Sequence, residues 1–298
     1  MKKLGSLYSC VTISLNATPL VAQTPTVTSP YKLSIFATAP SGLSAPDSIA
    51  VLGDYIFVGY GDNHKPDGSD GLSSQVVQYR MDGTIVFTYQ VPGHNDGIKV
   101  DPRTNLVWAI QNEDANPNLV IINPVTHRQK QFIFGPTPHG GGYDDVVFLG
   151  CRVFISASNP ANNPNTGPAI VSAHLYGNMV EVQPVLAGNA SAIDIPTDTS
   201  VQLNLKDPDS MTMDSLGNLV LDSQADQELI IVSNPGTTSQ TALRLPLSIQ
   251  TSSGTSRVQV DDTNFTTSSQ GFILFADKTL NVVYKLSRQA FPPNVAFT

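Results

Sequence analysis

The chain has 298 residues, of which only 13% are charged and 7% aromatic, and its formal net charge is −8. Low charge combined with many Ser, Thr, Asn, Gly and Pro residues is typical of a turn-rich β-protein and argues against a helical bundle. No Lys/Arg cluster follows the first residues, so nucleic acid is a poor partner, whereas the acidic balance favours cations.

The N-terminus carries the features of an export signal. Two lysines, a mildly apolar stretch and V-A-Q at 21–23 predict a secretory signal peptide over residues 1–23. We therefore expect a secreted or periplasmic protein, a monomer, whose single domain covers residues 24–298. No run of about 18 apolar residues is present, so no membrane span is expected.

A short phrase recurs along the rest of the chain. Its copies are P-D-S-I-A-V at 46–51, H-N-D-G-I-K-V at 94–100, Y-D-D-V-V-F at 143–148, P-D-S-M-T-M at 208–213 and a weaker V-D-D-T-N-F at 260–265. The copies lie roughly 50 residues apart, which is close to the length of a four-stranded propeller blade.

The segments between the copies read as antiparallel hairpins. Each copy leads into β-branched and aromatic runs separated by G-D, G-N or D-G turns, and no long stretch shows a helical period. The sequence thus predicts an all-β protein, a β-propeller of four-stranded blades. Five blades are visible; a six-bladed type with one incomplete or cryptic blade is expected, and a five-bladed ring is the alternative. Residues 31–36 could supply the outer strand that closes the ring.

Each copy places an Asp at the start of an innermost strand, so these residues are expected to meet at one mouth of the central channel. Crowded carboxylates repel one another unless a cation lies between them or some are protonated. Ca²⁺ takes oxygen ligands of this kind. The alternative is that each Asp caps its own turn; Asp96 and Asp262 fit that role best.

Two of these segments carry a family resemblance. H-N-D-G-I-K-V-D-P-R-T-N-L-V-W-A at 94–109 resembles the N-D-G-x-V-D-P-x-G-x-x-W-A segment of the gluconolactonase/regucalcin family. P-D-S-M-T-M-D-S-L-G-N-L-V-L at 208–221 resembles the family segment P-D-G-M-x-x-D-x-x-G-x-L-W-V. Such features are shared with NHL-repeat propellers. The family consists of six-bladed propellers, many of which are Ca²⁺- or Zn²⁺-dependent lactone hydrolases.

The resemblance implies a metal site. Asp209 matches a metal-binding Asp that is also the proposed general base, so it is the catalytic candidate. Asp144 falls where the family has a metal-binding Asn, and Asp47 where it has a metal-binding Glu. Asn95 matches an Asn that contacts substrate.

The chain also departs from the family pattern. Gly93 replaces the substrate-binding Arg, and Ser210 replaces the Gly that follows the metal-binding Asp. His94 and His139 precede inner strands and are expected to line the same mouth as further substrate contacts.

The function expected from these residues is that of a secreted, metal-dependent hydrolase acting on a lactone or small ester. The expected cofactor is Ca²⁺, with Zn²⁺ as the second choice. The alternative is a non-catalytic NHL-like propeller that binds a small ligand or a protein partner, with a structural cation or none. A propeller lyase would need both histidines in the pocket.

Overall fold

The fold was analysed in a computed structural model, which describes residues 24–298. The predicted signal peptide, residues 1–23, lies outside the described residues. Residues 24–298 contain β-strands and turns without any helix, which confirms the all-β prediction. This range accordingly has no helix long and apolar enough to cross a membrane.

The strands form blades in chain order. The first strand, β1 (Lys32–Thr38), precedes the first blade. The first blade consists of β2 (Pro46–Leu52), β3 (Tyr55–Tyr60), β4 (Ser73–Arg80) and β5 (Ile85–Pro92). The second blade is β6 (Asn95–Asp101), β7 (Leu106–Gln111), β8 (Asn118–Ile122) and β9 (Gln129–Phe134). The third is β10 (Val146–Leu149), β11 (Arg152–Ser156), β12 (Pro168–Tyr176) and β13 (Met179–Ala187).

A hairpin precedes the fourth blade, and a second hairpin follows it. These strands are β14 (Ser191–Asp194), β15 (Thr199–Gln202), β16 (Pro208–Met213), β17 (Leu219–Ser223), β18 (Glu228–Ser233), β19 (Thr241–Pro246), β20 (Ser248–Thr251) and β21 (Gly254–Arg257). The remaining strands are β22 (Asn264–Phe265), β23 (Phe272–Asp277), β24 (Val282–Ser287) and β25 (Ala296–Phe297).

The ring is closed by its first strand. β1 pairs antiparallel with β24, with Lys32 opposite Ser287 and Thr38 opposite Val282. The prediction that residues 31–36 supply the strand that closes the ring is therefore confirmed, with the strand shifted slightly to Lys32–Thr38. Within residues 24–298 the strands make five blades, four with four strands and the last with the three-stranded order β1-β24-β23.

The hydrophobic core lies between neighbouring blades. Phe57 and Val76 of the first blade pack against Ile98, Ala109 and Val120 of the second in one cluster. Equivalent clusters join the second blade to the third and the third to the fourth. Both faces of a blade carry apolar side chains, because each blade packs against a neighbour on either side.

One buried carboxylate ties three inner strands together. Asp145 lies just before β10, and its Oδ2 accepts a hydrogen bond of 3.0 Å from the backbone N–H of Met211 on β16. The Lys99 Nζ on β6 lies 2.9 Å from the same oxygen. Asp145 thereby fixes where the second, third and fourth blades meet at the channel mouth.

We predict that Asp145→Ala destabilises the protein by about 3–5 kcal/mol, because it leaves the Lys99 ammonium without its partner and removes an acceptor from Met211. Chemical denaturation followed by circular dichroism measures the change. Asp82→Ala is the matched control; Asp82 caps an exposed turn through the Thr84 N–H, and its loss should cost far less than the loss of Asp145. Equal losses for the two variants would contradict the role of Asp145.

Candidate functional site

The site lies at the mouth where the innermost strands begin. The second strand of each blade runs antiparallel to the first, so the residues that follow it return to the same mouth. A cavity of about 730 Å³ opens there. Nine carboxylate residues and one lysine line it: Asp47, Asp96, Glu113, Asp114, Asp144, Asp207, Asp209, Asp261, Asp262 and Lys278.

Three carboxylates converge in this cavity. One oxygen each of Glu113, Asp144 and Asp209 lies within 4.8 Å of the other two. Oxygen ligands at about 2.3–2.6 Å from one Ca²⁺ lie at most about 5 Å apart, so this spacing is compatible with a shared ion. Within residues 24–298, no backbone N–H donates to the side-chain carboxylate of Asp144 or Asp209, so these side chains do not cap turns; the one backbone bond to Asp144 goes from the Gly97 N–H to its carbonyl oxygen.

The electrostatics of this group favour a bound cation. Burial, followed by the charges of Asp261, Glu113 and Asp207, raises the pKa of Asp209 to about 8. Burial together with neighbouring carboxylates raises the pKa of Glu113 to about 10. Burial and the charge of Asp209 also raise the pKa of Asp144 well above its usual range. The raised pKa values favour protonation of these carboxyl groups, and a divalent ion would relieve the same repulsion.

A second group lies beside the first. Oxygens of Asp47 and Asp96 and a ring nitrogen of His94 also fall within 4.8 Å of one another. The His94 Nε2 is 3.2 Å from Asp96 Oδ1, and Lys278 Nζ is 2.8 Å from Asp47 Oδ2. Burial raises the pKa of Asp47 to about 7 although Lys278 opposes the shift. The Lys278 ammonium group thus already supplies a positive charge beside this second group.

The three predicted metal ligands are thus divided between the two groups. Asp144 and Asp209 lie together, with Glu113 as the third carboxylate, while Asp47 lies with His94 and is paired with Lys278. Asp96 lies in the cavity rather than in a simple turn, although it also accepts a 3.2 Å hydrogen bond from the Glu113 N–H.

The predicted substrate contacts are placed differently from one another. Burial lowers the pKa of His94, but the hydrogen bond and charge of Asp96 outweigh this effect and raise it. Asn95 is fully buried, and its Nδ2 donates to the Ile110 carbonyl at 3.0 Å. His139 is also buried, with Nε2 2.6 Å from the Gly142 carbonyl oxygen. None of His94, Asn95 and His139 lines the cavity, although His94 contacts Asp96, which does.

Glu113 is the residue that sequence reasoning missed. It lies outside the recurring phrase, two positions beyond the end of β7. The antiparallel pairing of β6 with β7 places Asn95 opposite Gln111 and so returns the chain to the mouth. A search for acidic residues just after each second strand would have found it.

No protein-family model and no curated protein matches the chain. Among solved structures, virginiamycin B lyase from Staphylococcus aureus is 11% identical, with a TM-score of 0.52, and the match covers 86% of this chain and 99% of that one. The PQQ domain of a pyranose dehydrogenase from Coprinopsis cinerea is 9% identical, with a TM-score of 0.44 and coverage of 88% and 97%.

A protein of unknown function from Bacteroides caccae is 10% identical, with a TM-score of 0.44; the match covers 70% of this chain but only 62% of that protein. At these identities the similarities concern the fold alone. The match to virginiamycin B lyase supports an all-β propeller, as the recurring phrase predicted, without extending to an activity.

We predict that the cation-free protein loses stability as the pH rises. A carboxyl group whose pKa is raised by folding stabilises the fold below its ordinary pKa of about 4, and this stability is lost as the pH rises through the folded pKa. For Asp209 and Glu113 these values are about 8 and about 10. In chelator, the free energy of unfolding should fall by an amount on the order of 2 kcal/mol between about pH 5 and pH 9.

Urea denaturation at a series of pH values measures this slope. Combining Glu113→Gln, Asp144→Asn and Asp209→Asn should flatten it, whereas Asp54→Asn in an exposed turn should leave it unchanged. A slope that is the same in all three proteins would show that the converging carboxylates do not cause it.

Proposed function

We propose that this propeller is a secreted, metal-dependent hydrolase that acts on a lactone or a similar small ester. The observation that carries the proposal is the convergence of Glu113, Asp144 and Asp209 on one point of an open cavity. The proposal agrees with the resemblance of two segments to the gluconolactonase/regucalcin family, in which Asp209 matches a metal-binding Asp.

The donor set fits a hard divalent cation. All three residues offer carboxylate oxygens, which suit Ca²⁺; Zn²⁺ more often has nitrogen or sulfur ligands, and no histidine or cysteine belongs to this group. We therefore propose Ca²⁺ bound by Glu113, Asp144 and Asp209. When bound, such a cation supplies Lewis-acid polarisation of an ester carbonyl.

The protein side chains would supply the proton chemistry. Asp209 is half-buried, lines the cavity and is assigned the role of accepting the proton of the attacking water. Asp144 is more deeply buried and lies next to Asp145, which Lys99 and Met211 hold in place. Asp144 would therefore act as the rigid ligand, and Asp209 as the accessible one.

The alternative is a non-catalytic binding propeller with a structural cation. Its support is that Asn95 and His139, two of the three expected substrate contacts, are buried and bonded to backbone carbonyls. Because neither His94 nor His139 lines the cavity, the two-histidine arrangement required for a lyase finds no support.

We predict that the purified protein binds Ca²⁺ and hydrolyses at least one member of a panel of lactones and p-nitrophenyl esters, and that chelator abolishes the activity. Asp209→Asn should lower kcat/KM by about 10²–10⁴-fold, because it removes both a ligand and the proton acceptor. Glu113→Gln and Asp144→Asn should weaken Ca²⁺ binding, as measured by isothermal titration calorimetry.

Asp54→Asn controls for the change in net charge and should keep full activity. Stoichiometric Ca²⁺ binding without turnover on any substrate would favour the binding propeller. Hydrolysis that survives both chelator and Asp209→Asn would contradict the proposed mechanism.

A further inference from the structure

Strand β23 differs from the corresponding strands of the other four blades. In β3, β7, β11 and β17 every residue after the first is buried. None of the six residues of β23 is buried, although its sequence, F-I-L-F-A-D, is as apolar as theirs. A strand with a core-type sequence is therefore left partly uncovered.

The cause is a missing neighbour. In the first four blades the second strand pairs with the innermost strand on one side and the third strand on the other. In the fifth blade the short strand β22 pairs with β25 near the C-terminus, so among residues 24–298 β23 pairs only with β24. The second edge of β23 faces the cavity, which Phe272–Ala276 line along with the carboxylates.

An open strand edge offers a specific kind of binding surface. Alternate residues of β23 present backbone N–H and C=O groups to the cavity, and such rows bind an added strand. Natural edges are usually protected by Pro, by Lys or by a bulge. The strand has none of these within Phe272–Asp277, and the register of its pairing with β24 is regular.

The charge of the cavity indicates what kind of strand would fit. Nine carboxylate residues line the space and the single lysine, Lys278, is already paired with Asp47. A segment carrying Lys or Arg complements this surface, whereas an acidic segment is repelled. The volume of about 730 Å³ lies between the edge and the carboxylates, so one ligand can reach both.

We propose that the open edge of β23 binds an extended peptide segment of a partner protein, which adds as the inner strand of the fifth blade and directs a Lys or Arg side chain to the carboxylates. The added strand gives the fifth blade the four strands of the others. This binding does not require the hydrolase activity.

The test uses the purified full chain in low salt with chelator and a fluorescein-labelled hexapeptide, Lys-Val-Thr-Val-Thr-Val, capped at its C-terminus. Fluorescence anisotropy should show saturable binding that weakens with added salt. Replacing Lys of the peptide by Glu should weaken binding by about tenfold or more. Hydrogen exchange of residues 272–277 should slow when the peptide binds.

Backbone recognition is tested on the peptide, so the fold of the protein is not disturbed. N-methylation of alternate residues removes the N–H donors along one edge of the peptide. One of the two alternating series should abolish binding and the other should retain it, because only one edge can pair with β23.

Equal binding of the Lys and Glu peptides, or of both N-methyl series, would overturn the proposal. So would unchanged hydrogen exchange at 272–277 in the complex. A protein that sediments as a dimer and protects 272–277 without peptide would instead assign the edge to a second copy of the chain. Saturable peptide binding in chelator by a protein that hydrolyses no member of the ester panel would support this inference while contradicting the proposed enzyme.

Discussion

The geometry of the channel mouth depends on the contacts around one buried carboxylate, Asp145. Inner strands of neighbouring blades are not joined by a continuous sheet, so individual contacts hold them together; beside the backbone hydrogen bond from the Gly97 N–H to the Asp144 carbonyl, the side chain of Asp145 links three blades. Asp145 does this by binding the Lys99 ammonium and the Met211 N–H at once. Because Asp144 precedes it and Asp209 lies two residues before Met211, the same contact brings two carboxylates of like charge together in the cavity.

Bringing carboxylates this close together costs electrostatic free energy, and the protein lowers this cost in two ways. At Asp47 the penalty is offset by an ammonium group from the same chain, Lys278. Among residues 24–298, no ammonium or guanidinium group forms a salt bridge with Glu113, Asp144 or Asp209, and the carboxyl pKa values rise instead. If the proposed Ca²⁺ binds there, it would displace protons from these carboxyl groups, and the stability of the ring would then be linked to the occupancy of the site.

The sequence predicts the fold because each copy of the recurring phrase combines a local turn signal with an alternating apolar run. It predicts the Asp144–Asp209 pair because equivalent strand starts must meet around an axis. The recurring phrase alone does not point to Glu113, which enters the mouth because β7 returns there, and no local pattern predicts the pairing of Asp47 with Lys278, which lies 231 positions away. The sequence also gives no sign that β22 fails to pair with β23, because β25, the strand that pairs with β22 instead, is only two residues long.

Closure of the ring by β1 has a consequence for the order of events during synthesis. The paired strands are far apart in sequence; Ser34 and Lys285, for example, are 251 positions apart. The first strand therefore leaves the ribosome long before its partner exists, and the intermediate blades must remain soluble while the ring stays open. Such long-range pairing slows folding and prolongs exposure of unpaired edges. The fifth blade, which is assembled last, is also the one that remains incomplete.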